Sequence, residues 1–253
     1  MTRVSGLVFL TAAVAALGAA RLAAPTLASA HHLRETTSGG TLGAVREFVD
    51  GALDSAAYPM DDRRKLDDIR RRLRFGAPGT YIDEILLSRD SSLARWPERK
   101  RAPLTVWIQP QSAVESWQSS FVAATREAFE NWDAVGIPVH FRFTPDSSAA
   151  EVHVTWIDHF DQPISGRTKW SRDDDWWITD ANITLAVRHH QGIALDDDAV
   201  HAMALHEIGH LLGLDHTTDP GSIMAARVRV RELSTADRAT ARLLYSLPPG
   251  DVR

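Results

Sequence analysis

His206-Glu207-Ile208-Gly209-His210 and, beyond Gly213, His216 supply three imidazoles and one carboxylate at spacings suited to one metal ion and its chemistry. Positions four apart on an α-helix lie one above the other, so His206 and His210 can aim ring nitrogens at a single ion. Glu207, one residue further round, reaches a metal-held water without competing strongly as a ligand, the place of a general base. Gly213 suits an abrupt helix end, because glycine adopts a left-handed backbone without a Cβ penalty. The chain can then turn back and bring His216 to the ion as a third nitrogen. Three protein ligands leave a fourth tetrahedral position for water, the pattern of catalytic rather than structural zinc. The expected cofactor is one Zn2+ ion held by His206, His210 and His216, with Glu207 as the catalytic residue. His201, five residues before His206 and so about 140° round a helix, falls outside the ligand set.

The pattern HExxHxxGxxH followed by Ser222-Ile223-Met224 resembles the metzincin clan of zinc endopeptidases. Leu214-Asp215-His216-Thr217, and Leu233-Ser234-Thr235-Ala236-Asp237 leading to Leu243-Leu244-Tyr245, narrow the resemblance to the matrixins, particularly compact bacterial secreted members. It covers residues 102 to 247, with its specificity concentrated in 206 to 224. The resemblance implies an α+β fold: a twisted, mostly parallel five-stranded sheet with an antiparallel edge strand, a long helix, an active-site helix and a C-terminal helix. It also implies a zinc-dependent endopeptidase that hydrolyses internal peptide bonds, with a protein or peptide as its partner and Met224 as a hydrophobic floor beneath the metal. Two departures narrow what is implied. Ala225-Ala226 follow Met224 where many matrixins carry an aromatic residue and a proline, so the specificity-pocket wall does not transfer. The chain has no cysteine, so latency through a cysteine switch is impossible.

On this reading Glu207 takes a proton from zinc-activated water, passes it to the leaving amine, and the oxyanion forms against the metal. Two rivals stand beside it. In another zinc-peptidase arrangement Glu232, 22 residues after His210, supplies the third ligand, which leaves Gly213, His216 and Met224 without a use. A secreted or membrane-anchored binding module with a purely structural zinc has no need of Glu207.

The positioning elements follow from periodicity. Residues 104–109 alternate as a strand that Pro110 ends. Trp117, Phe121, Ala124, Ala128 and Trp132 mark a helix over 113–134, and strands follow at 138–143 and 151–157. Residues 158–179 read as a long polar loop. There the resemblance leaves open a second zinc or a calcium, with His159, Asp161 and His189 as the only hints and an incomplete ligand set. By resemblance, 182–187 is the exposed edge strand above the cleft, whose free backbone groups could hold an extended peptide or could serve aggregation control. Asp196-Asp197-Asp198 opens the motif helix, expected over 197–212, where carboxylates cap free amides and favour the positive dipole end. Leu205, Ile208, Leu211 and Leu212 form its expected core stripe.

A chain of 253 residues, 44% hydrophobic and 24% charged, suits one core of about 150 residues with accessory segments. A net charge of −5 argues against nucleic acid as a partner, and without cysteine the fold is held by packing and metal. Residues 1–30 read as a signal peptide: Arg3, an apolar run from Val4 to Ala20, then Ala28-Ser29-Ala30. A secreted monomer without stable membrane insertion is expected; a retained anchor through residues 4–20 is the alternative. Residues 31–101 are an N-terminal extension or pro-segment, with a flexible lead, a short helix over 42–53 and an amphipathic helix over 61–75. Arg70-Arg71-Arg72 is an anionic-surface contact or a solvated face. Residues 79–97 resemble an N-terminal extension of bacterial relatives, which implies that they cover or brace the catalytic domain, and Arg99-Lys100-Arg101 is a processing site or a linker. The peptidase domain is expected over 102–253.

Overall fold

The computed structural model describes residues 10–11 and 60–252. The expected signal peptide, the flexible lead and the helix at 42–53 lie outside the described residues, apart from Leu10 and Thr11, which pair antiparallel with Val228 and Arg227.

Five strands form one sheet in the order β2-β1-β3-β5-β4, with β1 Leu104–Ile108, β2 Phe141–Phe143, β3 Val152–Ile157, β4 Gly166–Arg172 and β5 Ile178–Ala186. Four strands run parallel and β4 is antiparallel to β5. Parallel neighbours need a crossover, and helix α3, Ser120–Asp133, supplies the one between β1 and β2. Along β3 burial alternates, with Val152, Val154 and Trp156 inside, so the main core lies against one face of the sheet. Helix α4, Asp197–Leu211, packs between α3 and strands β4 and β5.

Three expectations change. The helix expected from 113 begins at Ser120, because Ser116 sits in a left-handed backbone (φ 68°) that interrupts any helix through it. The strand at 182–187 is part of β5, which lies between β3 and β4, and is therefore not the edge. The edge is β4, inside what reads as a polar loop. Its inward positions are filled by Gly166 and Thr168 rather than large apolar groups, so it lacks the apolar alternation that marks a half-buried strand. Finally, α4 is buried on nearly every side, with only His201 half-exposed between Ala199 and Leu211, so its leucines do not make a one-sided stripe.

The segment before β1 is part of the same core. Helix α1, Met60–Gly76, packs on helix α5, Thr235–Ser246, with Gly76 so close to Leu243 that a Cβ there would lie 2.6 Å from a leucine methyl. Helix α2, Ile82–Ser88, buries Ile82 and Ile85 completely, and Leu93, Ala94 and Trp96 beyond it are equally buried. Ser92–Leu93 pairs antiparallel with Gly250–Asp251. Among the described residues, no helix is long and apolar enough to cross a membrane.

Candidate active site

Helix α4 positions the first two histidines. Asp196 caps its start, its carboxylate accepting the Ala199 N–H at 2.8 Å. The other end closes on Gly213 at φ 94°. There the Gly213 N–H donates to the His210 carbonyl and the Leu214 N–H to the Gly209 carbonyl, each at 3.0 Å, the paired bonds of a left-handed helix stop. The Trp96 indole and the Tyr245 hydroxyl donate to the carbonyls of Leu211 (2.9 Å) and Leu212 (3.1 Å), satisfying acceptors that a helix end leaves free.

After this turn His216 returns to α4, and His206, His210 and His216 offer nitrogens all within 4.8 Å of one another. The ε-nitrogen of His206 is 3.0 Å from that of His210 and 3.3 Å from that of His216. A tetrahedral zinc with bonds of about 2.0–2.1 Å spaces its ligand atoms roughly 3.3 Å apart. The tautomers make the fit sharper. The δ-nitrogen of His206 lies 2.7 Å from the Ile223 carbonyl, and that of His210 lies 3.1 Å from the Leu214 carbonyl. A carbonyl only accepts, so both δ-nitrogens carry hydrogen and both ε-nitrogens of the neutral rings present lone pairs. Two lone pairs facing at 3.0 Å repel unless a cation stands between them. Protonation is disfavoured, since burial pushes His206 down to about 3 and His210 well below its ordinary value; burial lowers His216 too. The donor set fits a divalent metal ion.

Glu207 is fully buried beside the triad. Its Oε2 lies 2.6 Å from the Thr168 hydroxyl, while Oε1 is buried without a hydrogen-bond partner. Burial pushes the carboxyl up to about 8, against the lowering effects of Thr168 and Arg167. β4 makes room for it: a Cβ on Gly166 would lie 2.5 Å from Oε1. Beneath the histidines, the Met224 sulfur fills the space over Gly209, where a Cβ would meet it at 2.3 Å. The turn carrying Met224 hangs on the buried Asp237, which accepts from the Ile223 N–H (3.1 Å), the Ser222 hydroxyl, the Tyr81 hydroxyl (3.1 Å) and the Ser234 N–H (2.7 Å).

The three expected histidines therefore come together, Glu207 follows His206 on α4 with its carboxyl against Gly166 and Thr168 of β4, and Met224 packs against Gly209 of the same helix. The second-metal residues do not come together. His159 lies against Asp158 (2.7 Å) and His189 against His190 (3.1 Å); among the described residues His206, His210 and His216 are the only group of three suited to a metal. Glu232 is exposed and lines a separate cleft with Glu127 and His201. Sequence reasoning does not find Thr168, Gly166 and Asp237, because nothing in their local spacing ties the first two to Glu207, 39 and 41 positions away, or Asp237 to Ile223 and Ser222, 14 and 15 positions away.

Residues 156–246 match the matrixin family profile. Similar proteins include human (Homo sapiens) neutrophil collagenase, 26% identical over 174 residues, 62% of this chain and 32% of its own length. Metalloendoproteinase 1-MMP of Arabidopsis thaliana is 28% identical over 175 residues, 60% of this chain and 46% of its own length. Metalloendoproteinase 1 of Glycine max is 26% identical over 178 residues, 62% of this chain and 54% of its own length. The chain thus spans from about a third to about half of these relatives.

Proposed function

We propose that this chain, a matrixin-like member of the metzincins, is a secreted zinc endopeptidase that hydrolyses internal peptide bonds of proteins, with Glu207 as general base and acid. The observation that carries the reading is the convergence of three imidazole ring nitrogens on one point, next to a glutamate that keeps a buried carboxylate oxygen without a partner. His206, His210 and His216 would hold the ion. What zinc supplies when bound is Lewis acidity, which brings the pKa of a water toward about 7. Glu207 moves the proton: Oε1 takes it from the attacking water and hands it to the departing amine, so the base of the first half is the acid of the second. A dication nearby opposes the rise that burial imposes on this carboxyl, favouring the ionised form needed to accept the proton.

The substrate's backbone would lie along β4. Among the described residues, β4 pairs with one strand only, and a free edge can hold an extended peptide through main-chain hydrogen bonds whatever its side chains. Thr168 sits on that same strand and orients Glu207 from below. Thr168→Val keeps the shape but removes the hydroxyl, and turnover should fall roughly 10- to 100-fold, the value of one hydrogen bond to a charged group, while Thr168→Ser retains most activity. A Val variant with the wild-type kcat would show that Thr168 has no orienting role.

We assign residues 102–253 to the peptidase domain, with the preceding segment packed into its core, and residues 1–30 to an export signal. The reaction is tested by incubating the purified chain with a random peptide library, with and without chelator. Cleavage should require zinc and stop on its removal; cleavage that persists in chelator, or none with zinc bound, would refute the assignment.

A further inference from the structure

We propose that α2 and the turn after it clamp the His216 loop, making residues 81–97 a permanent part of the metal site and not a segment whose removal activates the protein. The inference rests on the reading of His206, His210 and His216 as the zinc ligands.

His216 is the one ligand not carried by a helix, and its loop is gripped on both sides by the segment that precedes the sheet. On the N-terminal side the Arg89 guanidinium donates to the Gly213 carbonyl (2.9 Å), the Leu214 carbonyl (3.2 Å) and the Asp215 carboxylate (3.2 Å). The Ser88 hydroxyl also donates to Asp215, at 3.0 Å, and Asp215 in turn accepts the His216 N–H at 2.8 Å. On the C-terminal side the Glu84 carboxylate accepts the Thr217 hydroxyl and the Thr218 N–H, both at 2.8 Å. Charged hydrogen bonds from one short helix and its exit therefore bracket His216 from residue 213 to residue 218.

The clamp has a rigid anchor. Ile82 and Ile85 are fully buried, the Tyr81 N–H donates to the Thr240 hydroxyl (3.1 Å), and the Tyr81 hydroxyl donates to Asp237 beneath the Met224 turn. Further along, the Ala94 carbonyl packs so closely on Gly213 that a Cβ there would sit 2.1 Å from it. No His, Asp or Glu of residues 60–101 belongs to the metal-binding group, which among the described residues consists of the three histidines alone. The hydrogen bonds from residues 84–89 reach the Gly213 and Leu214 carbonyls, Asp215, Thr217 and Thr218 rather than a ligand nitrogen, so they hold the loop and leave the ring of His216 to the metal. A loop ligand held in place before the metal arrives loses less conformational freedom on binding, which raises affinity without a new contact to the ion. Exposed Lys100 and Arg101 lie after the clamp, so a cut there leaves every clamping residue on the N-terminal piece, tied to the domain by these bonds.

The test is the zinc affinity of the full chain, measured by competition with a chromophoric chelator for wild type, Glu84→Gln, Arg89→Gln, His216→Ala and the double variant Glu84→Gln/His216→Ala. Each clamp variant should weaken zinc binding roughly 10- to 100-fold, the loss usual for residues that orient a ligand. Once His216 is gone, Glu84→Gln should change affinity by less than about two-fold. Clamp variants that bind zinc as tightly as wild type, or an equal loss with and without His216, would overturn the clamp. Should Arg89→Gln fail to fold, Glu84→Gln and its double variant decide alone. A wild-type chain that binds no zinc overturns the metal-site reading itself, and the clamp with it.

Discussion

Glu207→Gln is expected to keep zinc and lose turnover by roughly 10²- to 10⁴-fold, the range of positioned acid–base catalysis. The amide retains the size and the contact to Thr168 but cannot take a proton from water. Zinc content and kcat measured on the same preparation check this, and a variant cleaving at the wild-type rate would remove Glu207 from the mechanism. The same substitution has a second signature in metal-free protein. Burial raises the Glu207 carboxyl from an ordinary value of 4.5 to about 8, so the folded chain binds this proton more tightly than the unfolded one and stability falls as pH rises through that interval. The buried histidines work the opposite way below their ordinary value of 6.5, which leaves about pH 6.5 to 8 as the clear window. There, thermal midpoints of the metal-free wild type should fall with pH, and Glu207→Gln should flatten the slope; parallel slopes would mean that the carboxyl is not held in its protonated form by burial.

The second large effect is expected at Gly213. Its φ of 94° costs an L-residue about 1–2 kcal/mol, and an added Cβ would lie 2.1 Å from the Ala94 carbonyl, backbone that is itself buried. Gly213→Ala should therefore destabilise the chain by about 3 kcal/mol or more, lowering the melting midpoint by about 6–12 °C. It should also loosen zinc, because displacing this turn moves Leu214, whose carbonyl orients His210, and swings His216 out of reach. An Ala variant with wild-type melting and zinc affinity would show that the turn does not set the third ligand. The two results separate two proposed roles, proton transfer at Glu207 and assembly of the metal site at Gly213.

Legibility in the sequence followed the range of the interaction. The i,i+4 pair His206 and His210, the stop at Gly213 and the return of His216 are governed by helix geometry and left-handed glycine, which act within a dozen residues and leave a fixed spacing. Strand β3 and helix α3 carry apolar periods of two and about 3.6, so their existence was readable even where the start of α3 was not. β4 was hidden because its inward face needs small and polar groups: Gly166 to clear Glu207 and Thr168 to bind it. A strand shaped around a buried carboxyl reads as a loop. The identity of the edge strand followed from that miss, since β5 becomes an edge only if β4 is not counted.

Local spacing carried the expected metal-binding chemistry: the ligand types, the proposed base and the turn that joins them, all stereochemically constrained. What supports them is set by long-range packing. Asp237 at the Met224 turn, Thr168 at Glu207, and Glu84 with Arg89 around His216 meet these partners across 14 to 134 residues of chain. Such contacts leave no periodic trace, because a hydrogen bond between distant residues depends on where the packed core brings each backbone, and that is a property of the whole fold.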